Sequence, residues 1–244
     1  MLHNQSNVTI LDIHFTNTTM HQFLENVVKP SYETNKKHFI VTANPEIIMR
    51  AREDKAYKQT LMEADDVVPD GIGVIYAAKF KKQPLQERIA GFDLMEQMLL
   101  LADNQAASCY FLGATEEVNA EAVQEIQALY PNIQTAGRHH GYIDIEDDEV
   151  VQEIEKAQPD FVFVALGYPK QEMWIHQHLP RFSKGIFMGV GGCLDVYAGN
   201  VKRAPQIWIN LHLEWLYRIV KQPARWKRML PLVSFMWLVF WKKI

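Results

Sequence analysis

The chain has 244 residues, 48% of them apolar, which is length for one large or two small domains and excludes a mainly disordered state. Its formal net charge of −4 hides an asymmetry: residues 201–244 hold nine Lys and Arg against Glu214 alone, a local +8, so the first 200 residues carry −12. An acidic body with a basic end is not a surface that binds nucleic acid throughout; it calls for a local anionic partner.

Cys109 and Cys193 stand alone, without a CxxC or a His at metal-ligand spacing, so neither a disulfide framework nor a structural zinc site is expected and the reducing cytosol is the simple inference. The first fifteen residues have no basic segment followed by a sustained apolar one, hence no secretory signal is expected.

In chain order, residues 5–16 suit a small strand pair. Short apolar runs at 38–42, 66–68, 108–112, 160–166 and 184–190 then read as buried strands, each closed by Gly or Pro. Helical patterns follow at 46–62, 74–80, 116–129 and 170–178. Apolar strands alternating with helices predict an α/β, Rossmann-like, mainly parallel sheet with helices on both faces. Such sheets take ligands outside the carboxyl ends of their strands, which gathers Asn44, Asp70, Gly113, Gly167 and Gly189–Gly192 along one rim. The expected division is a catalytic domain, 1–200, and a basic, Trp-rich helical appendage, 201–244.

In the appendage Pro205 suits a first helical turn, and Trp208, Leu211, Trp215 and Ile219 recur at helical spacing. Five of the six Trp lie here (Trp208, Trp215, Trp226, Trp237 and Trp241). The uncharged run from Met229 to Trp241 is too short to cross a bilayer, which takes about 20 residues. Aromatic residues beside cations instead suit a surface position on an anionic membrane, or an interface with a second copy of the chain.

Several residues on the rim have both a structural and a chemical reading. Asn44, followed by Pro45, suits a helix cap; its amide and the Thr42 hydroxyl equally suit a sugar hydroxyl. Asp70, in Pro69-Asp70-Gly71-Ile72-Gly73, is either a helix cap or a carboxylate held out on a turn. The Gly71-x-Gly73-x-x-Tyr76 spacing has Tyr where a dinucleotide fingerprint needs a small residue, which weakens an NAD-dependent oxidoreductase reading. Gly191 and Gly192 offer amides for a phosphate or only a tight turn. Asp195 suits a ribose hydroxyl or a helix start, Arg88 a diphosphate oxygen or solvent, and Gln171 the site or the surface. Asp65 and Asp66 are adjacent and give no Asp-x-Asp chelate, the acidic stretch 144–148 reads as a solvated helix start, and His139 and His140 are expected to point apart, so no catalytic metal and no cofactor is expected.

Six blocks, Thr42-Ala43-Asn44-Pro45-Glu46, Pro69-Asp70-Gly71-Ile72-Gly73, Arg88-Ile89-Ala90-Gly91, the stretch 164–172 ending Lys170-Gln171-Glu172, Gly189-Val190-Gly191-Gly192, and 199–205, resemble in order the WecG/TagA/CpsF glycosyltransferases over residues 8–230. The resemblance is strongest to the branch that moves N-acetylmannosamine from UDP to the C4 hydroxyl of N-acetylglucosamine on undecaprenyl diphosphate, with inversion and without metal, in wall teichoic acid linkage-unit synthesis. It implies Asp70 as base and Thr42, Asn44 and Gln171 on sugar hydroxyls. Arg88, Gly191 and Gly192 would lie near the diphosphate, with Arg218, Arg225 and Arg228 of the appendage completing the site over the lipid-linked acceptor. A peripheral position on the inner face of the cell membrane follows from that acceptor. UDP-N-acetylmannosaminuronic acid and UDP-glucose remain open as donors.

Overall fold

The computed structural model describes residues 7–210, 214–221 and 229–241. The chain opens with an antiparallel pair, β1 (Val8–Ile10) and β2 (Ile13–Phe15), where a small strand pair is expected. A helical stretch follows: α1 (Met20–Phe23), one π-helical turn (Leu24–Val28) and α2 (Lys29–Glu33). Next come β3 (Lys37–Ala43), α3 (Pro45–Glu53), α4 (Lys55–Met62), β4 (Asp66–Pro69), α5 (Ile72–Phe80) and α6 (Gly91–Asn104). Then β5 (Ser108–Gly113), α7 (Glu116–Leu129), β6 (Gln134–His139), α8 (Asp148–Ala157), β7 (Phe161–Ala165), α9 (Lys170–His178), β8 (Gly185–Gly189) and α10 (Cys193–Tyr197) complete the body. Beyond residue 200 lie α11 (Gln206–Asn210), α12 (Glu214–Lys221) and α13 (Met229–Phe240).

Six strands form one parallel sheet in the order β4-β3-β8-β7-β5-β6. Connections that head toward the β4 edge carry α3, α4, α8 and α9, which bury Ile48, Tyr57, Val150 and Trp174 on one face. Connections that head toward the β6 edge carry α6 and α7, which bury Met95, Leu99, Ala122 and Ile126 on the other. That partition is what a single handedness of crossover demands. Only α5 stays on the first face, with Val74, Ala77 and Ala78, before α6 crosses.

The helical pattern at 46–62 is two helices rather than one. Asp54 is extended (φ −121°, ψ 106°), ends α3 and starts α4, its carboxylate accepting from the Ala56 and Tyr57 amides at 3.1 Å each. A cap that satisfies two orphan donors outweighs continuity of the apolar period.

The last helix packs on the body. Along α13, Phe235, Leu238 and Val239 are buried in the same core as α3 and α5, and Leu232 lies against Gly73. On its other side Leu230, Val233, Trp237, Phe240 and Trp241 are exposed at helical spacing, with Tyr76 and Phe80 of α5 also exposed. Phe80 and Phe240 meet edge to face, 5.8 Å between ring centres. None of the described helices is long and apolar enough to cross a membrane.

Candidate active site

The carboxyl ends of neighbouring strands send their helices to opposite faces at β3 and β8, β8 and β7, and β7 and β5, and the crevices so opened form one rim. At its β4 end, Asn44 caps α3 by accepting from the Ile47 amide at 3.1 Å, with Pro45 in the first turn. The capping reading of Asn44 is thus realised through its oxygen. Asp70 is different: the residue that starts α5 is Gly71, at φ +95°, a conformation that costs a residue with a Cβ. Asp70 itself sits between the end of β4 and that glycine, with its carboxylate near Gly91 at the start of α6.

Two backbone hydrogen bonds and one close approach set the surroundings of that residue. The Asp70 amide donates to the Ala43 carbonyl at 3.0 Å, tying the exits of β3 and β4 together. The Ile89 amide donates to the Pro69 carbonyl at 2.9 Å, which brings Arg88 to the same exit. Strand alternation turns Thr42 to the face where α6 begins, and a Cβ placed on Gly91 would meet the Thr42 Oγ1 at 2.9 Å and the Asp70 Oδ2 at 3.6 Å. Glycine at 91 lets a hydroxyl, a carboxylate and the amino end of a fourteen-residue helix converge. Thr42, Asn44, Asp70 and Arg88 are all partly exposed.

Gln171 and Gly191 lie in the middle of the rim and are bonded to each other. Gln171 is buried, and its Oε1 accepts from the amides of Gly167 (3.1 Å) and Gly191 (3.0 Å), while its Nε2 donates to Glu172 Oε1 (2.7 Å). Both ends of the amide thus have protein partners. By the same bond the Gly191 amide is directed at Gln171; of the pair, Gly192 is the exposed residue. Glu172, almost fully buried, also accepts from the Tyr57 hydroxyl at 3.0 Å. Burial pushes the Glu172 carboxyl above its ordinary range, against the pull of the Gln171 and Tyr57 hydrogen bonds. Asp195 sits in the first turn of α10, partly exposed, with its carboxylate next to Gly192.

Sequence reasoning placed Gly113 on the rim but missed the segment around Gly141 and Tyr142 that lies against it. Gly113, at φ +128°, lies so close to β7 that a Cβ would come within 2.4 Å of the Ala165 carbonyl, and the Gly141 amide donates to Ala114 at 2.7 Å. This docks the segment after β6 across the β5 and β7 exits and leaves the Tyr142 ring 78% exposed beside them. An isolated Gly-Tyr in a polar stretch was the available signal. His139 and His140, expected to point apart, have ring centres 4.4 Å apart.

Where the appendage begins, Arg203 pairs with Asp93 and covers the Phe92 ring at 4.5 Å, pinning residue 203 to the first turn of α6. Arg218 lies in α12. Its side chain lies outside the described residues, as do Arg225 and Arg228 entirely.

The Glycosyl transferase WecG/TagA/CpsF family model matches residues 8–244, nearly the whole chain. The chain belongs to this family. It is a glycosyltransferase, and its relatives are close. A protein of Staphylococcus aureus (strain MRSA252) is 44% identical over 238 residues, covering 97% of this chain and 93% of the relative. One from Bacillus spizizenii is 42% identical over 226 residues, covering 93% and 88%. Both relatives are named N-acetylglucosaminyldiphosphoundecaprenol N-acetyl-beta-D-mannosaminyltransferase.

Proposed function

We propose that this glycosyltransferase moves N-acetylmannosamine from UDP to the C4 hydroxyl of N-acetylglucosamine linked to undecaprenyl diphosphate, the acceptor and sugar in its relatives' names. The observation that carries the reading is the approach of Thr42 Oγ1 and Asp70 Oδ2 to the same glycine, Gly91, at the amino end of α6. The acceptor oxygen attacks C1 of the sugar from the side opposite UDP, its proton passes to the Asp70 carboxylate, and the bond from C1 to the diphosphate oxygen breaks, which inverts the anomeric centre. Charge developing on the leaving diphosphate is met by Arg88, the amino end of α6, the Gly192 amide and the arginines at 218, 225 and 228. Thr42 and Asn44 orient sugar hydroxyls, Asp195 takes the ribose and the Tyr142 ring stacks on the base.

Residues 201–244 are, in this reading, an appendage that holds the enzyme on the cytoplasmic face of the membrane where the acceptor resides. An α13 that is apolar on both sides suits a helix lying between the protein core and lipid, with the +8 of the segment drawn to anionic headgroups. The same exposed stripe also favours a second copy of the chain as partner in the absence of lipid. The test is a panel of UDP-sugars with a synthetic lipid-linked N-acetylglucosamine acceptor on anionic vesicles. Turnover with UDP-N-acetylmannosamine alone is expected; turnover only with UDP-N-acetylmannosaminuronic acid or UDP-glucose, or none with any, refutes the assignment.

A further inference from the structure

A buried chain of hydrogen bonds runs from α4 to the rim: the Tyr57 hydroxyl donates to Glu172, Glu172 accepts from the Gln171 amide nitrogen, and the Gln171 oxygen accepts from the backbone of two separate rim loops. The polarity of this chain is forced. Gly167 and Gly191 present only N–H groups, so the Gln171 oxygen must face them, and its NH2 must then find an acceptor on the other side. A carboxylate is the side chain that accepts from both the amide and the tyrosine hydroxyl. The route is also sterically reserved, since a Cβ on Gly189 would lie 2.6 Å from the Gln171 Nε2.

We propose that Glu172 is a positioning residue for the transfer reaction, acting through Gln171 to hold the Gly167 and Gly191 loops in the register that receives the UDP diphosphate. The inference rests on the UDP-sugar reading for its ligand, and on the hydrogen bonds alone for its geometry. Gln171 is on this account a clamp between loops and does not touch the sugar. Its nearest structural alternative is a purely stabilising buried network, which would change how much protein is folded without changing the affinity of the folded fraction.

A polarity swap separates the two. Gln171→Glu places two carboxylates face to face and breaks the clamp. Combining it with Glu172→Gln restores every bond: the new Glu accepts from both loops and from the new Gln, whose oxygen accepts from Tyr57. UDP titration by calorimetry is expected to give about a tenfold higher Kd for Gln171→Glu at unchanged stoichiometry, the equivalent of about 1.4 kcal/mol, and recovery to within about threefold of wild type in the double variant. Gly189→Ala, which displaces the Gln171 amide by volume alone, is expected to raise the Kd in the same way. The Gly167 and Gly191 amide resonances should shift in Gln171→Glu and return in the double variant, a readout that needs no nucleotide. An unaltered Kd in Gln171→Glu, or a double variant no better in binding or folding than the single one, overturns the proposal. A wild-type protein that binds no UDP while the two resonances still follow the swap would instead refute the UDP-sugar reading and leave the clamp standing.

Discussion

At the amino end of the parallel sheet, side chains answer one another. His38 bonds Asp66 at 2.8 Å, Thr16 donates to the same carboxylate at 2.6 Å, Asp65 takes the Phe39 amide, and Asp160 receives the Ser108 amide and hydroxyl and the Lys184 ammonium. At the carboxyl end the partners are mostly backbone groups: Asp70 bonds Ala43, Ile89 bonds Pro69 and Gly141 bonds Ala114 through their backbones, while the side chains of Gln171 and Asn119 bridge backbone groups of separate loops. Closing one end with side chains makes it a source of stability. Holding the other end through its backbone groups leaves Thr42, Asp70, Arg88 and Asp195 partly exposed, and on the proposed function that division is why polar residues of similar type do different work at the two ends.

The sharpest break of this comparison is Asp70→Asn. Turnover should fall about 10²- to 10⁴-fold, the usual contribution of a general base, while UDP affinity and thermal midpoint stay near wild type in calorimetry. Asp66→Asn, chemically the same change at the other end, should leave turnover per folded molecule intact and show only in stability.

Phe235→Ala comes next. Emptying a fully buried ring position on α13 should cost about 3–5 kcal/mol in denaturant unfolding. The appendage would then lose its anchor on α3 and α5, the helices that start beside Asn44 and Asp70. Little change in unfolding would mean that α13 does not belong to the core.

For Asp66→Asn itself a loss of about 1–3 kcal/mol is expected, because the amide replaces one acceptor oxygen by a donor facing either His38 or Thr16. The smallest effect is on acid stability. Burial opposes ionisation of Asp160, but the bonds from Lys184 and Ser108 prevail and hold its carboxyl below the ordinary range. A depressed folded-state pKa gives stability that is present above the unfolded carboxylate pKa, about 3.9, and is lost as pH falls through the lower folded value. Asp160→Asn should therefore flatten the acid side of the stability curve without moving the pH dependence of turnover.

Much of this architecture is legible in the residues themselves. The five strands at 38–42, 66–68, 108–112, 160–166 and 184–190 are apolar because both faces of a parallel strand are covered, and α7 and α9 have the bounds their periodicity predicts. β6 was hidden because Gln134–His139 is a partly exposed edge strand with a polar sequence. α6 was hidden because it follows Ala90, without a capping side chain. Thr42, Asn44 and Asp70 could be placed at strand exits because each ends or directly follows an apolar run. The hydrogen bonds of Gln171 could not, since which way an amide faces depends on Gly167, Gly191 and Glu172, partners brought together only by the fold.

The central claim is that the carboxyl rim, and not the amino end, receives the UDP-sugar. Amide hydrogen exchange with and without UDP tests it directly, since it reads both ends of the sheet in one experiment. Slowed exchange is expected in the loops after β3, β4, β5, β6, β7 and β8, with no change at 37–39, 65–66, 108 and 160. Protection confined to the amino end, or none anywhere despite bound UDP, would contradict it.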